Sequence, residues 1–269
     1  MPTAALDSAR PIILVGCGRL GSAIVEGWLT HGPVDPRRLL IVTPSPKPVT
    51  DRAGRAGAVI NPEADAMTKA QAVVLAVKPA KWGEAVDGLA DRLAADAVVI
   101  SVMAGVRADD IGKALQRPVA RLMPTTAVAQ GRGVAALWSN DAGASELARA
   151  LFAPLADVVE LSVEDQIDVA TAVAGSGPAY VHAFTLAMAQ AGVEAGLSPD
   201  DAVRLARGAV RSAASAPLDE ALEDLIARIA SPGGTTQAGL KAADEAGLDA
   251  AAHAAVAAAL RRARELSAG

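Results

Sequence analysis

Six short runs of β-branched and aliphatic residues punctuate the first part of the chain: Ile12–Val15, Leu39–Val42, Val73–Val77, Val98–Val102, Val119–Met123 and Val158–Leu161. Between several of them lie Ala-rich, mixed-charge stretches of helical length, such as Arg19–Thr30 and Ala80–Ala94. Continuous apolar runs separated by helix-length segments predict a parallel sheet covered on both faces. After about Ser162 the β-branched runs stop, and Ala, Leu, Arg and Glu take over. Ala221, Leu222, Leu225, Ile226 and Ile229 then fall on one face of a helix. The pattern predicts an α/β domain over 1–161 and an all-helical part over 162–269. No Pro/Gly linker marks the change. Ala250–Ala259 reads equally as a segment of high helix propensity and as a close-packing helix between subunits.

Composition narrows the classes. The chain has 269 residues, 52% of them hydrophobic and 20% charged, with 25 Lys+Arg against 30 Asp+Glu. A disordered chain needs low hydrophobicity and high net charge, and neither is present. A net charge of −5 leaves no basic surplus for a general nucleic-acid binder. No apolar run reaches the ~18–20 residues of a membrane span. Met1–Arg10 lacks a basic flank and a long apolar stretch, so no signal peptide is expected there. The lone cysteine, Cys17, removes intrachain disulfides and any cysteine-rich metal site, and is expected to be a packing residue. His31, His182 and His253 show no metal-ligand spacing and are expected on the surface or in packing. A soluble, cytoplasmic protein without metal, membrane or nucleic-acid partner is expected.

The first chemical signal follows the first run. Gly16-Cys17-Gly18-Arg19-Leu20-Gly21 is a G-x-G-x-x-G with a strand before it and a helix after it. Gly16 permits the tight turn, Gly18 lets backbone approach a pyrophosphate, and Gly21 lets helix and strand pack closely. The helix start, with Arg19 and Leu20, offers free N–H groups to phosphate. NAD sites place an acid about 20 residues further on. Here the segment runs Val42-Thr43-Pro44-Ser45-Pro46-Lys47, with no acid at the strand's end. Thr43, Ser45 and Lys47 suit a 2′-phosphate, so NADPH is favoured over NADH. Ligands sit beyond the carboxyl ends of strands in open sheets. Val77-Lys78-Pro79, Ala104-Gly105 and Pro124-Thr125-Thr126 are therefore expected to wall the cofactor pocket.

Two segments of the helical part cost stability unless a ligand gains from them. Gly175-Ser176-Gly177-Pro178-Ala179-Tyr180 interrupts a helix, for close approach of a ligand or backbone or as a plain break capped by Ser176. Ser231-Pro232-Gly233-Gly234-Thr235-Thr236 opens a helix over Gln237–Glu245 and suits a carboxylate or a phosphate at its N-terminus. The alternative is ordinary capping by threonine.

These segments, with Ala76-Val77-Lys78-Pro79 and Ala104-Gly105-Val106, occur in an order that resembles the pyrroline-5-carboxylate reductase family from Ile12 to about Leu266. The resemblance implies an N-terminal Rossmann-like NADP-binding domain and a C-terminal all-α domain that binds substrate and dimerises. It implies NADPH-dependent reduction of 1-pyrroline-5-carboxylate, a cyclic imine carboxylate, to L-proline, by a homodimer or a ring of dimers. Ser176, Gly177, Ser231, Gly233, Gly234 and Thr235 are then substrate-binding, with Thr236 on the ring nitrogen. The chain departs from the family's Met-Pro-Asn-Thr-Pro at Thr125 and Ala127. It also lacks the family's proline and Lys/Arg-Asp pair within 221–228. Both departures leave turnover and ring size open. A related two-domain imine or hydroxyacid reductase, and a non-catalytic NADP(H)-binding protein, remain alternatives. Hydroxyacid members use a lysine early in the helical domain, and after Ser162 this chain has Lys241 alone.

Overall fold

Each of the six apolar runs becomes a strand in the computed structural model, which describes residues 6–267. Met1–Ala5, the start of the segment read for a leader, lie outside the described residues. In chain order come β1 (Ile12–Val15), α1 (Arg19–His31), β2 (Leu39–Val42), α2 (Pro48–Arg55), β3 (Val59–Ile60), α3 (Ala64–Met67) and β4 (Ala72–Leu75). They are followed by α4 (Trp82–Val86), β5 (Val98–Ser101), α5 (Ala108–Leu115), β6 (Val119–Pro124), β7 (Gly133–Ser139), α6 (Ala142–Phe152), β8 (Ala156–Glu160) and α7 (Gln166–Ala170).

The strands form one sheet in the order β3-β2-β1-β4-β5-β6-β7-β8. Pairing is parallel from β3 through β6, in register Ile12↔Leu39 and Ile12↔Ala72 about the central β1. The strand order reverses between β1 and β4, the switch point at which open α/β sheets bind ligands. The sheet is mixed, not wholly parallel as expected. The link from β6 to β7 is a single 3-10 turn, Thr126–Gln130, too short for a crossover helix, so β7 runs antiparallel to β6. β3 is too short, and β7 too rich in Gly and Ala, to register as apolar runs. The helix expected over Ala80–Ala94 is broken into a 3-10 turn, α4 and a second 3-10 turn, with Gly88 at φ +63° in the gap after α4.

Alternation along β1 sends Ile12 and Leu14 to one face and Ile13 and Val15 to the other. The first face packs on α1 and α6, where the Trp28 and Phe152 rings meet edge-on at 6.0 Å. The Trp28 indole N–H donates to the Leu151 carbonyl at 3.0 Å, which satisfies its buried polar edge. The second face packs on α5 through Ile111 and Leu115.

The chain divides into two compact units. One runs to Gly175 and takes in the chain from Ala259 onward; the other spans Ser176–Ala258. Composition changes near residue 160, whereas contacts close the first unit at Gly175. Between those points lie α7 and a π-turn, Thr171–Gly175, helical in sequence but packed on β6 and β7 through the buried Ile167.

The second unit carries α8 (Gly177–Glu194), α9 (Pro199–Ala213), α10 (Leu222–Ile229), α11 (Thr235–Glu245) and the first part of α12 (Leu248–Ser267). The Ser198 side chain caps α9 by accepting from the Asp201 N–H at 3.2 Å. Its core is Ala189, Ala202 and Ala206 with Met188 against them. Phe184, Leu186, Leu205, Leu222, Ile226 and Ile229 are exposed. Exposed apolar side chains of this size mark interaction faces where they adjoin. Among the described residues no helix is long and apolar enough to cross a membrane.

Candidate cofactor and substrate sites

The turn from β1 into α1 is built on its glycines. Gly16 has φ +96°, which L side chains rarely adopt, and a Cβ there would stand 2.6 Å from the Ala76 carbonyl oxygen. A Cβ on Gly21 would overlap the Gly16 carbonyl oxygen, so the third glycine is fixed by helix–strand packing. Gly18 is different: a side chain there would enter open space. No side chain caps α1, so the N–H groups of Arg19, Leu20 and Gly21 have no capping partner from their N-cap residue. The cradle fits a pyrophosphate, with bare backbone at Gly18 and a positive helix end behind it. Cys17 inside this turn is buried, its Sγ 3.5 Å from the Ser22 hydroxyl. Burial pushes its thiol pKa up against smaller opposite pulls from Ser22 and Lys47. A thiol so held is a packing group.

At the end of β2, Thr43 is buried and its hydroxyl donates to the Ser45 carbonyl at 3.2 Å. Thr43 therefore shapes the turn, while Ser45 and Lys47 stand exposed on its rim. The Thr50 hydroxyl closes the turn from the other side, accepting from the Lys47 N–H at 2.8 Å and donating to the Lys47 carbonyl at 2.7 Å. Sequence reasoning missed Asn61. Its Oδ1 accepts from the Thr43 N–H at 2.9 Å, and its own N–H donates to the Ile41 carbonyl at 2.7 Å. The Asn-Pro pair after Val59-Ile60 was the available signal.

The other expected walls follow the strands in turn. Val77, Lys78 and Pro79 leave β4 beside Gly16, with Val77 Cγ1 2.8 Å from where a Gly16 Cβ would be. Ala104 and Gly105 form the turn after β5. After β6, Thr125 is tied into β7: its N–H donates to the Val134 carbonyl at 3.0 Å and its Oγ1 accepts from the Val134 N–H at 3.3 Å. All the cofactor residues named from the sequence lie in the first unit, at the carboxyl ends of β1, β2, β4 and β5.

The substrate residues named from the sequence lie in the second unit. Ser176 precedes α8 without capping it, so the plain capped break is not what this segment makes. Tyr180 donates to the Ala255 carbonyl at 3.4 Å. Ser231, Gly233 and Gly234 form the turn into α11. Gly233 has φ +73°, the Gly234 N–H donates to the Ser231 carbonyl at 3.0 Å, and the Gly233 N–H donates to Gln237 Oε1 at 2.7 Å. The helix starts at Thr235, two residues before the expected Gln237, and no side chain caps it. Thr235 and Thr236 are exposed in its first turn, their hydroxyls not spent as caps. His31 lies against Gly131, His182 is exposed, and His253 sits over the Asp249 carbonyl at 3.0 Å. Among the described residues no group of His, Cys, Asp and Glu could hold a metal ion.

Residues 164–266 match the family described as pyrroline-5-carboxylate reductase dimerisation, and residues 11–105 the one described as NADP oxidoreductase, coenzyme F420-dependent. The chain is 33% identical to a Pseudomonas aeruginosa pyrroline-5-carboxylate reductase over 97% of this chain and 98% of that relative. A solved Coxiella burnetii pyrroline-5-carboxylate reductase superposes with a TM-score of 0.88 at 30% identity, covering 96% of this chain and 98% of that one. The Plasmodium falciparum pyrroline carboxylate reductase solved with NADP bound shares the fold, with a TM-score of 0.80 at 23% identity, over 97% and 99% of the two chains.

Proposed function

The chain belongs to the pyrroline-5-carboxylate reductase family, and we infer that it reduces the ring C=N bond of 1-pyrroline-5-carboxylate to give L-proline, the last step of proline biosynthesis. The observation that carries this reading is the start of α11. A glycine turn there presents a helix N-terminus without a side-chain cap beside the exposed Thr235 and Thr236 hydroxyls, in a chain that also has the bare-backbone cradle at Gly18.

When bound, NADPH would supply the hydride for the imine carbon, the nitrogen having taken up its proton first. A cyclic imine takes up its proton from water before reduction, so no strong acid is demanded of the protein. The backbone of Gly234 to Thr236 holds the substrate carboxylate through the Thr235 and Thr236 N–H groups, the Gly234 N–H being spent on the Ser231 carbonyl that shapes the turn, helped by the positive end of α11. Ser231, Gly233 and Thr235 shape that hold, and Ser176 and Gly177 let the ring approach the backbone. Thr236 hydrogen-bonds the ring nitrogen, a positioning role more than an acid's. Gly16 to Gly21, Val77 to Pro79 and Ala104-Gly105 hold the cofactor. Ser45 and Lys47 meet the 2′-phosphate, supported by the missing acid after β2. Two copies pair through the helical unit, as a dimer or a ring of dimers, supported by its exposed apolar face. A buried thiol at Cys17 accords with a reducing cytoplasm.

The hydroxyacid reading needs a lysine early in the helical domain, whereas Lys241 sits on α11 paired with Glu245 at 3.7 Å. The non-catalytic reading rests on Thr125 and Ala127, yet Thr125 has a structural task of its own in the β6–β7 ladder. The test is loss of NADPH absorbance with pyrroline-5-carboxylate beside its six-membered-ring analogue. Turnover of the five-membered ring is expected; oxidation with neither substrate overturns the reading.

A further inference from the structure

Arg121 lies within β6 and is 3% exposed, a place where a guanidinium needs partners. Its Nη1 is 3.2 Å from Oε1 of Glu164, whose side chain is equally buried. Its Nη2 donates to the Met103 carbonyl at 3.3 Å. Glu164 Oε1 also accepts from the Ala108 N–H at 2.7 Å, the first residue of α5, and Oε2 stands 3.2 Å from Arg107. One ion pair therefore grips both ends of the loop joining β5 to α5, the loop that carries Ala104 and Gly105. A cavity of about 280 Å³ opens beside the pair, lined also by Gly105, Asp168 and Arg264.

Stability is a poor account of this arrangement. Two buried charges lose their hydration, and an apolar pair of the same volume is often as stable or more so. Arg121 Nε is buried with no partner among the described residues, which adds cost without return. The location supplies a better account. A dinucleotide crosses the β1–β4 switch point, and Ser45 and Lys47 place its adenosine end on the β2 side. Its nicotinamide end then lies over β4, β5 and β6, against the gripped loop.

We propose that Arg121 and Glu164 are a positioning pair that fixes the Met103–Gly105 loop against the nicotinamide half of NADPH. The proposal rests on the NADPH reading above. Arg121→Met alone strands a buried carboxylate, so the test pairs it with Glu164→Gln, which keeps an oxygen for the Ala108 N–H and leaves no lone charge. A second variant, Arg121→Lys, keeps a cation for Glu164 but lacks the planar fork that also reaches Met103. Binding of NADPH and of adenosine 2′,5′-bisphosphate, which lacks the nicotinamide half, is measured by calorimetry beside turnover.

In both variants NADPH should bind more weakly and turnover fall roughly a hundredfold, the scale of a small misplacement of reacting groups. Bisphosphate affinity should stay unchanged. Unaltered NADPH affinity and turnover overturn the proposal, as does bisphosphate affinity that falls in parallel with NADPH. Two variants that fail to fold make the pair structural and overturn it too. An unmodified chain that binds neither ligand overturns the cofactor reading itself.

Discussion

Truncating Leu222 to alanine should break the assembly of this protein without touching its chemistry. Leu222, Ile226 and Ile229 lie on one face of α10 and remain 72%, 50% and 66% exposed. An eight-residue helix is too short to stand alone in water, so its apolar face needs a cover. Each buried methylene is worth about 0.8 kcal/mol, so the carbons removed by Leu222→Ala carry ~2.4 kcal/mol if wholly buried. Scaled by the 72% that the single chain leaves exposed, the loss is about 1.7 kcal/mol per copy. A two-fold pair contains the face twice, so the dissociation constant should rise roughly 300-fold. Sedimentation equilibrium over a dilution series reads this directly, and the thermal midpoint should become more concentration-dependent. Glu223→Ala, a neighbouring exposed site on the same helix, is the control and should leave association unchanged. A monomeric mass for the unmodified chain at micromolar concentration refutes the reasoning. So does Leu222→Ala associating as tightly as its parent.

Thr236→Val keeps shape and removes the hydroxyl assigned to the ring nitrogen, so turnover should fall about 10- to 150-fold, the worth of roughly 1.5–3 kcal/mol in one charge-assisted hydrogen bond. NADPH affinity should hold in that variant, and Thr235→Val should be milder; the reverse ranking in steady-state kinetics moves the nitrogen's partner to Thr235. Ser45→Asp places a carboxylate on the exposed rim of the β2 turn, where it repels a 2′-phosphate and can accept a ribose hydroxyl. The unmodified chain should prefer NADPH and the variant NADH, by titration of each cofactor; equal affinities in the unmodified chain contradict the assignment.

The features legible in the sequence were those that physics makes local. A strand buried on both faces is a continuous apolar run, and a phosphate cradle needs glycines at fixed offsets, so β1, β2, β4, β5 and the Gly16–Gly21 turn could be read directly. The run Val158–Leu161 gave away β8 but not its direction, because orientation follows from the 3-10 turn after β6. β3 has two residues and earns its pairing from β2, not from its own pattern. Asn61 acts on Thr43 from another strand, and Arg121 meets Glu164 across 43 residues. Such pairs exist only once the chain is folded. Composition marked helix beginning near 160 but could not tell that α7 packs on the sheet domain. The exposed face of α10 was visible as a stripe in both descriptions; only the fold shows that its own chain leaves it uncovered.

The proposed reaction moves one hydride from nicotinamide to the imine carbon. The purified full chain is incubated with pyrroline-5-carboxylate and NADPH deuterated at the transferable position of the nicotinamide, and the product is analysed by mass spectrometry. L-Proline carrying one deuterium on the former imine carbon is the predicted result. Unlabelled proline, or no proline while NADPH is retained, contradicts it.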